Sequence, residues 1–523
     1  MTTQSSAAPA APTFAASSSP AASLPEPESM ATVARNAAIV WPPALVVAAL
    51  GTWVCFNSPP GINWAIWTAA ASLGVVWTVR RSQRRVGLPL AVVLAAACAL
   101  AACAAITADA IFWPIILIGV AVLLSLAMAL AEGVPAESLG IVSFVLTPVL
   151  GGFRTIREAA LRMGELASLP RAGRGVPPVL RGAILALPVV CVLALLLSAA
   201  DPVLARLRDD VFALGEDVLF VPRIIFFVLL TVLTLGAYGI ALRRSPEAQA
   251  PDADTSLTLG DTERFVVLLS VSGLFALFLG LQVSYFFGNM PAVSGSGVTY
   301  AEYARRGFGE LTVAATVATM LVTWLDQHAE RGKGEARARV AALALIFLVQ
   351  LLLDSAYRRV SLYESAYGYT AARLYARVYM IAVSLALVAV GVEIWSHVDV
   401  RRLVRRVSLL GVASVIALCG WNHEAWIARQ NIARFASTGR LDEAYLVQGL
   451  SANAVPTIVQ SLPKLPEATA ERVGALLVER YGNPRALGGS RWYEWNLRVR
   501  QARRAMAATG LTQRREQAAH VSP

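Results

Sequence analysis

Apolar runs of about 20 residues alternate with short polar segments from position 37 to position 421. A helix needs about 20 apolar residues to cross roughly 30 Å of hydrocarbon. On that yardstick eleven spans are predicted, at 37–55, 62–79, 87–107, 110–131, 182–200, 218–241, 264–287, 308–326, 339–357, 378–396 and 405–421. The fold class is therefore all-α, a polytopic transmembrane helix bundle with a small helical region after it. Trp41, Trp53, Trp64, Trp77, Trp113, Trp324, Trp395 and Trp421 fall near run ends, as an interfacial aromatic belt requires. Residues 138–153 are apolar but only sixteen long, with Pro148 and the Gly151–Gly152 pair. That length predicts an interfacial or re-entrant piece rather than a span.

The flanks read differently. Residues 1–35 are rich in Ala, Ser and Pro and are expected to be a disordered tail. A basic region before the first apolar run is missing, so that run is expected to stay in the membrane rather than act as a signal peptide. Four spans occupy 36–131, a basic loop 132–181, and a seven-helix core 182–421. Residues 422–508 read as short amphipathic helices, one of them over ATAERVGALLVERYG and ending at Gly482. Residues 509–523 are expected to fray.

Arginine sets the orientation. With eleven spans and the N-terminus inside, the inside loops hold 22 basic residues and the outside loops 8. Counting 138–153 as a span gives 13 inside and 17 outside, against the positive-inside rule. The reading is a multi-pass protein of the cytoplasmic (inner) membrane, N-terminus cytoplasmic and C-terminus extracytoplasmic.

Composition agrees. The 523 residues are 56% hydrophobic and 15% charged, with a mean hydropathy of +0.58. Soluble domains average about 45–50% apolar and about 25% charged. This excludes an ordinary soluble enzyme, a disulfide scaffold and a disordered chain. The net charge of +11 reflects orientation rather than nucleic-acid binding. Cys55, Cys98, Cys103, Cys191 and Cys419 sit in apolar runs, and the four His are scattered. No metal, cofactor or disulfide is assigned. Walker A, HExxH and GxSxG patterns are missing, so no catalytic residue is assigned either.

Tyrosine is unevenly spread. Nine of the thirteen lie between Tyr285 and Tyr379, flanking two outside loops at 288–307 and 358–377. Tyr300, Tyr303, Arg305, Arg306, Glu310, Arg358, Tyr363, Tyr367 and Arg373 form the candidate ligand-binding set. Arg donates bidentately to anions and Tyr offers a stacking face. The alternative is that Tyr marks the membrane interface and Arg pairs with Glu to fix the loops. Gln282, Gln350 and Asp354 are polar groups within or at the ends of spans. They read either as a relay or as structural hydrogen-bonding groups, with Asp354 one turn from Arg358. Glu393, near an inner end, is expected to reach water.

Four blocks carry a family resemblance. They are GNMPAVSGSGVTYAEYARRGFGEL, YRRVSLYESAYGYTAARLYA, NIARFASTGRLDEAYLVQGLSANAVPTI and WYEWNLRVRQAR. In these blocks the chain resembles bacterial polytopic membrane proteins of the domain of unknown function 4173 family and its relative 4153. The resemblance covers roughly residues 180–505 and leaves the first four spans as a variable part. It implies a multi-span membrane fold and brings no catalytic residue, substrate or cofactor.

Three functions compete. The first is an envelope binding, signalling or scaffold component whose outer face meets an envelope protein or a lipid or sugar ligand. The second is a transporter or flippase for a lipid-linked or anionic solute, and the third a membrane-embedded envelope-modifying enzyme. The lipid bilayer is the partner common to all three.

Overall fold

The computed structural model describes residues 30–135, 141–168, 220–243, 259–287, 308–327, 334–396, 400–483, 487–488 and 491–509. The predicted span 182–200 and the loop 288–307 lie outside the described residues. Among those described, fifteen α-helices account for most of the chain: α1 Met30–Cys55, α2 Ile62–Arg81, α3 Leu88–Ala102, α4 Phe112–Glu132, α5 Ile141–Ser168, α6 Phe220–Leu242, α7 Asp261–Phe287, α8 Phe308–Gln327, α9 Glu335–Tyr367, α10 Ala371–Trp395, α11 Val400–Gly420, α12 His423–Thr438, α13 Val455–Ser461, α14 Glu467–Tyr481 and α15 Leu497–Ala508. Eight described helices are long and apolar enough to cross a membrane, and α8 and α11 contain shorter apolar stretches. The protein is an all-α, multi-pass membrane bundle.

Three differences from the sequence expectation stand out. First, α1 begins at Met30, so the end of the expected tail is already helical. Second, the described part of the apolar piece at 138–153, from Ile141, belongs to a 28-residue amphipathic helix, α5, that continues to Ser168. Its neighbour α6 supplies glycines where the two helices cross. A Cβ on Gly236 would stand 2.0 Å from the Thr155 carbonyl oxygen. Small residues let helix backbones approach in this way.

Third, the expected loop 358–377 is helical at both ends. Only Gly368–Thr370 separate α9 from α10. Gly368 takes φ of +87°, which a side chain would strain, and its N–H caps α9 by donating to the Glu364 carbonyl. At 33 residues α9 is about 50 Å long, at 1.5 Å per residue, and outruns the hydrocarbon layer. Its polar last turns therefore stay helical beyond the membrane.

Packing divides the spans. Side chains of α1–α4 and α6 share one core, including Val40, Val75, Leu94, Met128 and Leu235. A second core joins α7–α10 through Leu268, Val322, Leu345, Leu387 and Ile394. The helix α11 places Leu403 in the α7–α10 core and Cys419 in a third core, with Ala97 and Leu100 of α3 and Ile116 of α4. Glu393, expected to reach water, is fully buried and pairs with Arg406 of α11 at 2.5 Å.

The two ends of the bundle differ. At one end the Arg84 guanidinium donates to the carbonyls of Ala131 and Ala241, at the C-termini of α4 and α6. Cations there complement the helix dipoles. Glu158 pairs nearby with Arg162 and Arg243. The other end, where α1, α3, α9 and α11 finish and α2, α4 and α10 begin, is roofed by α12–α15. The roof has its own apolar core of Ile427, Leu446, Leu450, Ile458, Val473, Leu477 and Met506. Leu374 of α10 reaches into it.

Candidate functional site

Polar groups collect where the roof meets the bundle. The loop between α3 and α4 is short and carries Thr107 and Asp109. Asp109 turns the chain into α4 by accepting the Ile111 N–H on Oδ1 at 2.9 Å. On the roof side α11 stops at Gly420, and Asn422 caps α12 by accepting the Ala425 N–H. That turn places His423 and Glu424 side by side at the start of α12, facing the α3–α4 loop.

Asp109, His423 and Glu424 are 5%, 1% and 2% exposed. Their ligand atoms all lie within 4.8 Å of one another. The His423 Nδ1 faces the Leu418 carbonyl oxygen at 3.3 Å, an acceptor placed for an Nδ1–H. Nε2 is directed at Asp109 Oδ2, 3.6 Å away, and at the Tyr375 hydroxyl, 2.9 Å away. The Tyr375 hydroxyl itself donates to Asp109 Oδ2. Glu424 accepts the Ser451 N–H at 2.8 Å and the Ser451 hydroxyl. Phe112 and Tyr375 wall the imidazole, with ring centroids 5.5 and 5.4 Å away.

The two carboxyls are tuned apart. Burial raises the Asp109 carboxyl, but the adjacent His423 imidazole and the hydrogen bonds from Tyr375 and the Ile111 N–H outweigh it and hold the group below its ordinary value. Burial raises Glu424, the nearby Asp109 charge raises it further, and the Ser451 hydrogen bonds offset only part of this. One carboxylate is thus kept ionised beside one that favours its proton, a pattern suited to proton transfer or to holding a cation. Among the described residues, these three form the one group of His, Cys, Asp and Glu side chains placed to hold a metal ion.

Amide side chains brace the joint on either side. Asn453 Oδ1 accepts the Ala108 N–H at 2.8 Å. Asn496 Nδ2 donates to the Ala104 and Thr107 carbonyls at 2.9 and 2.8 Å. Asn431 bonds both the N–H and the carbonyl of Tyr369. The Tyr445 hydroxyl accepts the Ala371 N–H at 2.7 Å, and the Ile62 N–H donates to the Trp495 carbonyl at 3.0 Å.

The residues singled out from sequence are partly brought together. Tyr363, Tyr367 and Arg373 meet at the α9–α10 turn. The Arg373 guanidinium lies 4.2 Å over the Tyr363 ring, and the Tyr363 and Tyr367 centroids are 4.7 Å apart. Arg358 stays apart from them, paired with Asp354 at 3.0 Å on an exposed helix face. Gln350 donates to the Ser384 carbonyl at 2.9 Å. Tyr300, Tyr303, Arg305 and Arg306 lie outside the described residues. Glu310 and Gln282 fall within α8 and α7, and their side chains are outside the described part.

Tyr367 also lines a polar groove of about 630 Å³ with Arg434, Arg440, Asp442, Glu443 and Arg472. Arg472 is held there by Glu443 through bonds of 2.6 and 2.8 Å. A second cavity, of about 220 Å³, is apolar and lies among α2, α4, α5 and α6.

Sequence reasoning missed Asp109, His423, Ser451 and Asn453 as a set. Two cues existed, a lone Asp in the short loop between two spans and the polar run Trp421–Glu424 directly after the last span. Nothing along the chain tied those cues together.

Residues 67–461 match the family described as Domain of unknown function (DUF4153). The chain belongs to that family. The match takes in most of the bundle and begins within α2. The part shared with the family therefore reaches further toward the N-terminus than the resemblance over residues 180–505 implied. Tyr375, His423, Glu424 and Asp109 all fall inside it. No curated protein and no solved structure matches the chain.

Proposed function

We propose that this DUF4153 protein is a cytoplasmic-membrane component whose roof helices α12–α15 form an extracytoplasmic binding platform. Its ligand would be an anionic or polyhydroxyl group of the cell envelope. The observation that carries the reading is the polar groove. It joins Tyr367 from the end of α9 to Arg434, Arg440 and Arg472 from the roof in one concavity. Guanidinium groups beside an aromatic face suit sugar, carboxylate or phosphate groups.

Orientation follows from charge. The end of the bundle away from the roof carries Arg80, Arg81, Arg84, Arg85, Arg243, Arg337 and Arg339. By the positive-inside rule this charge supports a cytoplasmic placement of that end and an extracytoplasmic roof. Two of the three intramembrane polar groups serve local bonds, Gln350 to Ser384 and Asp354 to Arg358. That favours a binding role over a relay.

Titration of full-length protein in nanodiscs with sulfated and uronic-acid oligosaccharides tests the reading. Saturable binding is expected, weakened about tenfold, or about 1.4 kcal/mol, by Arg440→Ala and by Tyr367→Ala. No saturable binding, or equal affinity in both variants, overturns it.

A second reading, a lipid flippase, rests on the apolar cavity between α2 and α6, where Arg154 joins the lining. Lipid scrambling in proteoliposomes tests it. Activity reduced by Leu124→Trp, which fills the cavity, supports it; no scrambling by the wild type rejects it.

A further inference from the structure

We propose that Asp109, His423 and Glu424 bind one divalent transition-metal ion, which clamps the roof to the bundle. Three observations converge on this. The first is geometric: one imidazole nitrogen and two carboxylates, all buried, present their ligand atoms within 4.8 Å of one another. That donor set is what a single first-row divalent ion takes.

The second is the support around the donors. Metal-ligating His residues use their other ring nitrogen to bond a carbonyl or carboxylate, and ligating carboxylates are themselves hydrogen-bonded. Here His423 Nδ1 meets the Leu418 carbonyl, Asp109 Oδ1 holds the Ile111 N–H, and Glu424 is held by Ser451. His423 Nε2 faces Asp109 Oδ2 at 3.6 Å and the Tyr375 hydroxyl at 2.9 Å, a contact that a bound ion would replace.

The third is charge. Two buried carboxyls share one imidazole, and both can be ionised there only beside a cation, because buried charge is costly unless it is paired. The guanidinium groups nearby are engaged with other partners. Arg373 lies over Tyr363, Arg377 pairs with Glu364, and Arg480 donates to the Val447 and Leu450 carbonyls. A divalent ion would neutralise both carboxylates at once. It would also tie the α3–α4 loop to the start of α12, two segments more than 300 positions apart in the chain.

With only nitrogen and oxygen donors, Zn²⁺ and Mn²⁺ fit better than the soft ions that select thiolates. The inference stands apart from the groove, which shares none of these residues.

The test uses full-length protein purified in detergent with a histidine-free affinity tag. The protein is equilibrated with Zn²⁺ or with Mn²⁺, freed of excess ion, and its metal content measured. One equivalent of one of the two ions is expected, together with a raised unfolding temperature. Asp109→Asn, His423→Gln and Glu424→Gln are each expected to lose it. Ser451→Ala leaves all three ligands in place and is expected to weaken affinity about 10- to 100-fold. Wild-type protein that retains neither ion overturns the proposal. So does a folded Asp109→Asn/Glu424→Gln double variant that retains as much as the wild type.

Discussion

The Asn453 carboxamide donates to the Thr107 hydroxyl at 3.2 Å, across 346 positions of sequence. The same side chain accepts the Ala108 N–H, so one roof residue satisfies two polar groups of a loop between two spans. Asn453 is only 3% exposed. Truncating it leaves buried partners unpaired, which costs about 1–3 kcal/mol. Asn453→Ala is therefore expected to lower the unfolding temperature and to open the roof to limited proteolysis. An unchanged digestion pattern would show that the joint does not hold the roof.

Glycine tests the α5–α6 crossing. Gly236→Ala drives a Cβ against the Thr155 backbone oxygen, where only backbone movement can relieve it. Gly273 of α7 has nothing within 4 Å of the same position. Gly→Ala in an open helical position gains up to about 1 kcal/mol. Thermal unfolding in detergent should rank Gly273→Ala at or above the wild type and Gly236→Ala clearly below it.

Tyr481 gives the opposite kind of expectation. Burial pushes its hydroxyl up to about 12, and the Glu424 charge adds to that against the pull of Arg480. The hydroxyl is buried and has no hydrogen-bond partner among the described residues. Removing an unpaired buried polar group is neutral or stabilising. Tyr481→Phe should unfold at the wild-type temperature or above it, and a clear loss would reveal a bond to this hydroxyl.

Acid should loosen one edge of the groove. The Arg472 hydrogen bonds hold the Glu443 carboxyl below its ordinary value of 4.5. A depressed folded value means the tie is fully present above the ordinary value and is lost as pH falls through the lowered one. Arg472 is exposed and Glu443 lies at the groove's surface edge, so the effect is local rather than global. Hydrogen exchange over 442–449 is expected to quicken below that range in the wild type. In Arg472→Gln the quickening should start at higher pH, and identical profiles would dismiss the tie.

Periodicity and length located most of the bundle. The start of α2 at Ile62 and the end of α7 at Phe287 coincide with the sequence reading, as does the stop of α14 before Gly482. Each of these signals is local, an apolar run ended by a polar or glycine residue. The α9–α10 turn was misread because polarity marks where a helix leaves the membrane, not where it stops being a helix. The joint was hardly legible for a different reason. Asp109, His423 and Asn453 are ordinary residues where they stand, and only the tertiary return of the chain brings them together.

The central claim is that the roof is docked on the extracytoplasmic end of the bundle. Lysine tests it directly, because the chain has two, Lys333 and Lys464. Lys464 is exposed on the roof, between α13 and α14, and Lys333 immediately precedes Gly334 at the start of α9, the arginine-rich end. Intact cells treated with a membrane-impermeant amine reagent should yield protein modified at Lys464 and not at Lys333. Modification at Lys333 with Lys464 protected would invert the orientation and contradict the account.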